Sequence, residues 1–109
     1  MNTTQALAYL KTVLGIGDTS QDAMLTGYLE MAAFEIIQFK YSLIGVPDGQ
    51  TEPDDEDAMT WVFAVVAGYN DRGAENQTSH NENQIYRTFH FTDMVEYIRS
   101  HIIPYAKLR

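Results

Sequence analysis

The chain has no cysteine. Disulfides and zinc–thiolate sites are therefore excluded, and a composition without thiols suits a reducing compartment. Basic residues are scarce: seven Lys and Arg stand against 15 Asp and Glu, for a formal net charge of −8. A protein that grips DNA or RNA needs a basic footprint to displace phosphate counterions, so direct nucleic-acid binding is not expected. An anionic membrane surface is disfavoured for the same reason. No apolar run approaches the ~20 residues of a bilayer-spanning helix. The first residues, Met1-Asn2-Thr3-Thr4-Gln5, lack the basic and apolar regions of a secretory signal. Without such a signal the sequon-like triplets Asn2-Thr3-Thr4 and Asn76-Gln77-Thr78 are chance matches, and a soluble intracellular protein is expected.

What is present is one domain's length of chain, residues 1–109, with 45% hydrophobic residues. That is enough for a small core. Ala6, Leu7, Leu10, Val13 and Leu14 recur at helical spacing and predict a first helix from about Thr4 to Leu14. Thr3 or Thr4 is its expected cap, and Gly15 its stop. The pairs Met24-Leu25, Tyr28-Leu29, Ala32-Ala33 and Ile36-Ile37 recur every four residues. They predict an amphipathic second helix from about Gln21 to Lys40. A loop carrying Pro47, Gly49 and Pro53 follows, and it ends in Asp54-Asp55-Glu56-Asp57. These acidic residues suit the positive end of a third helix, about Glu56 to Tyr69, which is apolar almost all round and reads as central.

Ile85, Arg87, Phe89 and Phe91 alternate with Tyr86, Thr88 and His90, a period of two that predicts a short strand. A lone strand needs a partner, either a hairpin return within Asn76–Asn83 or another molecule. A last helix is expected from about Asp93 to Ile103. Asp93 and Glu96 stand in capping-box spacing, Met94, Tyr97, Ile98 and Ile102 form its apolar side, and Pro104 ends it. The fold class expected is mainly α: a small bundle of about four helices, with one short β-strand or hairpin before the last, in a single domain spanning 1–109.

No catalytic constellation emerges. His80, His90 and His101 lie in three separate segments, and no H-E-x-x-H spacing exists. The acidic run Asp54–Asp57 lacks the spaced ligands and turn glycine of a calcium loop. Gly15-Ile16-Gly17 follows a helix and has no third glycine, so it is a turn and not a phosphate cradle. Ser20, Ser42, Ser79 and Ser100 have no G-x-S-x-G setting. No catalytic, metal or cofactor site is therefore expected. Tyr69, Tyr86 and Tyr105 lie at element ends, where each is either an interface anchor or a partly buried ring of the monomer. Arg72 either caps the third helix or pairs with an acidic group, in this chain or a neighbour; the alternative is a plain exposed arginine.

The order of these parts carries a resemblance. The Leu14-Gly15-Ile16 turn follows a leucine-rich helix. The apolar third helix ends in Tyr69-Asn70-Asp71-Arg72-Gly73-Ala74-Glu75. Ser79, the Tyr86–Phe91 segment and the tail Pro104-Tyr105-Ala106-Lys107-Leu108 follow. The whole resembles the small head–tail connector (adaptor) proteins of long-tailed phages and prophages. That resemblance implies a structural virion protein and not an enzyme. It implies a homo-oligomeric ring of about a dozen copies beneath the portal protein, extending the DNA channel and docking the next head-completion or tail protein. DNA would pass through without specific binding, and no membrane would be involved. The protein would reside in the virion, and in the host cytoplasm during assembly. Trp61 to Tyr69 would be the subunit core. Arg72, Gly73 and Glu75 would set the turn into the loop, and Asn76–Asn83 with Ile85–Phe91 would be a mobile inter-subunit or channel-facing element, with Arg72, Glu75, Tyr86, Arg87 and Phe89 as contact residues. Tyr105, Lys107, Leu108 and Arg109 would form a portal-facing tail. A competing reading is a small acidic helical regulatory or adaptor module that covers a basic protein partner with Asp54–Asp57.

Overall fold

A computed structural model describes residues 1–69 and 89–105. Among these are four α-helices: α1 (Thr3–Leu14), α2 (Asp22–Lys40), α3 (Ala58–Tyr69) and α4 (Phe91–His101), with one 3₁₀ turn over Asp55–Asp57 ahead of α3. The mainly helical expectation is met. The predicted strand is not seen: Phe91 already belongs to α4, Phe89 and His90 are neither helix nor strand, and Ile85 to Thr88 lie outside the described residues.

Local chemistry sets the helix ends, in places shifted from expectation. Asn2, and neither threonine, caps α1. Its side chain accepts from the Gln5 N–H at 2.8 Å while the Gln5 side chain accepts from the Asn2 N–H at 2.9 Å. This is the reciprocal capping box, and Asn is among the strongest capping residues. Gly15 closes α1 in the left-handed conformation at φ 77°, where a side chain would be strained. The Ile16 N–H then reaches the Lys11 carbonyl at 2.9 Å. At α4 the expected Asp93–Glu96 capping box does not form, because the helix begins two residues earlier. His90 stands at its cap position and its side chain makes no capping hydrogen bond, and Asp93 lies inside the first turn. There its charge still favours the helix dipole.

α3 is the hub of the packing and touches each of the other helices. Trp61, Val62, Ala64 and Val65 are buried within it, against Leu10 of α1, Leu25, Leu29 and Ile36 of α2, and Met94 and Ile98 of α4. Each large apolar side chain removed from water here contributes about 1.5–3 kcal/mol. The one polar atom of Trp61 is matched: its indole N–H donates to the Leu29 carbonyl at 2.8 Å. An unpaired buried N–H would cost about 1–3 kcal/mol. α2 and α3 run antiparallel. Asp57 meets Lys40 at one end of the pair, and the Tyr69 hydroxyl donates to Gln21 at 2.9 Å at the other. Lys11 ties α1 to α2 through Asp22 at 2.7 Å.

The loop between α2 and α3 is fastened at several points. Glu52 accepts from the Thr3 N–H at 3.2 Å, which places a carboxylate at the positive end of α1. The Gln50 amide donates to the Glu52 carbonyl at 2.9 Å and to Asp54 at 3.2 Å. Pro53 is buried. Among the described residues no helix is long and apolar enough to cross a membrane.

Candidate functional site

Of the residues that the resemblance assigned to subunit or portal contacts, two lie among the described residues: Phe89 and Tyr105. Arg72, Glu75, Tyr86 and Arg87, the Asn76–Asn83 loop, and Lys107, Leu108 and Arg109 fall outside them. The structure does not bring Phe89 and Tyr105 together. Each is attached to α2, Phe89 at Tyr28 and Tyr105 at Lys40. Twelve residues of helix separate those points by about 18 Å.

Phe89 sits in an aromatic and steric seam. Its ring stacks on Tyr28 with centroids 3.8 Å apart and planes 14° off parallel. Beneath it is Gly68. A Cβ at Gly68 would lie 2.5 Å from the Phe89 Cζ and 3.0 Å from the His90 carbonyl oxygen, so only glycine lets the segment approach this closely. The His90 N–H donates to the Gly68 carbonyl at 3.0 Å, one of the carbonyls that a helix end leaves free. Chain leaving α3 and chain entering α4 are thus fastened side by side. Gly68 carries no pattern that marks it in the sequence, since a glycine inside a helical run usually signals only a weak position.

Tyr105 sits on a polar cluster that the sequence did not reveal. Lys40 is only 3% exposed. Its ammonium donates to Asp54 at 2.9 Å, Glu56 at 2.7 Å and Asp57 at 2.6 Å. The Tyr41 hydroxyl adds a bond to Asp54 at 2.7 Å. Tyr105 closes the cluster from outside. Its N–H donates to the Lys40 carbonyl at 2.9 Å, its hydroxyl to Glu56 at 3.3 Å, and its ring lies 4.9 Å from the Lys40 ammonium and edge-on to Tyr41.

The electrostatics follow from these contacts. Burial alone would push Lys40 toward the neutral amine, but the hydrogen bonds it donates to Asp57, Glu56 and Asp54 outweigh it and hold the amine charged well above the ordinary lysine range. The hydrogen bond to Asp54, then burial, then the Asp54 charge push the Tyr41 phenol up to about 12. Asp54 is held below the ordinary carboxylate range by the Tyr41 hydroxyl first and Lys40 next. Asp54, Glu56 and Asp57 are also the described carboxylates whose oxygens come close enough together to hold a metal ion. The cation among them is the Lys40 ammonium, which fills the place where a divalent ion would sit.

The acidic run therefore does more than start α3. Periodicity holds a hint of this: Lys40 falls four residues after Ile36 and three after Ile37, on the buried stripe of α2. A lysine in that register must be paired. Its partners lie 14 to 17 residues away across a loop, a separation that periodicity cannot bridge.

Of the histidines singled out as non-catalytic, His101 stacks on Tyr97 at 4.0 Å, His90 lends backbone atoms to the seam, and His80 lies outside the described residues. The fold and its clusters define a class first: a small α-helical protein whose buried polar cluster is built around an internal ion pair. The chain belongs to the phage gp6-like head-tail connector protein family, whose model matches residues 4–105. No curated protein and no solved structure matches it.

Proposed function

We propose that this protein is a ring-forming connector. It sits beneath the portal, extends the DNA channel and docks the next head-completion or tail protein. Membership of the head-tail connector family across residues 4–105 is the observation that carries the reading. The formal charge of −8 supports it, since an acidic channel wall repels phosphate and lets DNA slide instead of gripping it. The protein works as structure and not as an enzyme, in the virion and in the host cytoplasm during assembly.

The two anchors give the reading its geometry. The Gly68–Phe89 seam holds the described residues on either side of 70–88, and Arg72, Glu75, Tyr86 and Arg87 of that segment are proposed to meet neighbouring subunits or the channel. Residues 106–109 leave from Tyr105, and Lys107, Leu108 and Arg109 are proposed to face the portal. Their two positive charges, on a strongly acidic chain, mark the tail as the natural contact for an acidic patch.

The competing regulatory module would use Asp54–Asp57 to cover a basic partner. Three of those four carboxylates are already bonded to Lys40, which removes most of its instrument. Negative-stain imaging of the protein, alone and mixed with the portal protein of the same phage, tests the proposal. Rings in either setting are expected. Monomers or dimers that leave the portal undecorated would overturn it.

A further inference from the structure

α2 is apolar on two opposite sides. Leu25, Leu29 and Ile36 face the core and are fully buried. At about 100° per residue, Met24, Met31 and Phe34 fall on the reverse side. They are 41%, 38% and 59% exposed. Gly27 continues the same stripe, and a Cβ there would meet nothing within 4 Å. The positions 24, 27, 31 and 34 step by three, four and three residues, the spacing that seats one helix along another. Methionine and aromatic rings without charge are the composition of an interface core.

A second unpartnered face exists on the same chain. Within α1, the residues exposed to water are Thr4, Gln5, Ala8, Tyr9, Thr12 and Val13, and none carries a charge. In a protein with 20% charged residues, an exposed helix face without any is a surface suited to being covered. The two faces match in length: α1 spans about 18 Å, and Met24 to Phe34 about 15 Å. They also match in polarity. The α2 stripe is bordered by Glu30 and Glu35. Packing two α2 stripes on each other would set these carboxylates against their copies. The α1 face instead brings hydroxyl and amide donors from Thr4, Gln5 and Thr12.

We infer that the wall between neighbouring copies is the α1 face of one subunit packed along the outer α2 stripe of the next. The contact joins two different surfaces of one chain. That is the heterologous geometry a closed ring requires, and an isologous dimer lacks it. The inference rests on the ring reading and supplies its subunit contact.

The absence of cysteine makes the test direct. Tyr9→Cys and Met31→Cys are prepared separately, and each is checked for native helicity and melting. They are then mixed, assembled alone or on the portal ring, and treated with a short bis-maleimide crosslinker. A crosslinked dimer in the mixture, absent from either variant alone, is expected. In parallel, Met31→Glu with Phe34→Glu should reduce the ring fraction at least about tenfold while leaving the monomer folded. A crosslinked dimer of Met31→Cys with itself would overturn the inference in favour of a symmetric contact. Crosslinking of Met31→Cys to the portal would overturn it in favour of a different partner. Rings that form without the crossed product, or that survive the glutamates, would overturn this interface while leaving the ring reading intact. No ring in any setting would remove both.

Discussion

Gly68 and Lys40 both hold a chain segment to the bundle, but by opposite means. Gly68 does so by the absence of a side chain: its bare Cα lets the Phe89 ring and the His90 backbone approach where a single methyl would collide. Lys40 does so with a long buried side chain and three carboxylates around its charge. One anchor is a matter of shape, insensitive to salt and indifferent to protons at the contact itself. The other is electrostatic and depends on every partner keeping its ionisation state. The segments they hold are those the connector reading assigns to assembly, one leaving α3 and one following α4.

The electrostatic anchor should be the more costly to break. Lys40→Met leaves three carboxylates facing one another with no cation, and removing one member of a buried ion pair costs about 3–5 kcal/mol. For a domain of this size that is a fall in melting temperature of roughly 10 °C or more, read by circular dichroism. Adding Asp57→Asn should cost less than the sum of the two single changes, because the repulsion it relieves exists only once Lys40 is gone.

The steric anchor should give a smaller and differently shaped loss. Gly68→Ala gains helix propensity of about 1 kcal/mol and loses about 1–3 kcal/mol to overpacking against Phe89. A net destabilisation of about 1 kcal/mol is expected. Combining it with Phe89→Ala removes the clash with the ring and leaves only the 3.0 Å approach to the His90 carbonyl oxygen, so the Gly68→Ala change should then cost less than it does beside Phe89. Thermal melting of the four-member cycle checks this.

Proton titration separates the two anchors most cleanly. Asp54 is depressed below its ordinary value of 3.8, so its contribution is present above about pH 4 and is lost as pH falls below that value. Tyr41 is raised from 10.0 to about 12, so its contribution is present below pH 10 and is lost as pH climbs from 10 to about 12. Tyr41→Phe should cost about 1 kcal/mol at neutral pH and flatten the alkaline limb between those values. The Gly68→Ala variant should keep both limbs of the wild-type profile, displaced downward as a whole.

The smallest effect on stability, and the largest on assembly, is expected at the tail. Deleting residues 106–109 should leave the melting temperature within about 1 °C, since every described member of the Lys40 cluster is kept, yet weaken association with the portal. Extending the deletion to Tyr105 removes the backbone bond to Lys40 and the contact to Glu56, and should add a measurable loss of stability. Equal portal association by the shorter deletion would show that the tail is not the portal contact.

These contrasts also mark what could be read from sequence. The four helices were legible because each buries a face with a regular period, and α3 stood out as central because it is apolar all round. Gly15 was legible because a helix stop with positive φ is a local event. Cap positions slipped by one to three residues, as at Asn2 and at His90, because several adjacent residues can serve and tertiary packing chooses among them. Phe91 read as strand because alternation over a few residues cannot outweigh what the segment packs against. Lys40 with its acidic partners, and Gly68 beneath Phe89, were hidden for a common reason. Each depends on residues brought together from distant parts of the chain, and no local pattern reports that. Resemblance in the order of parts reached the head-tail connector family where local patterns had nothing to offer.

The most direct test of the connector account is native mass spectrometry of the full chain titrated onto its portal ring. The account predicts one saturated species, a portal ring carrying a fixed complement of this chain that is the same at every excess. A portal mass unchanged by any excess of the protein, with the chain remaining monomeric, would contradict it.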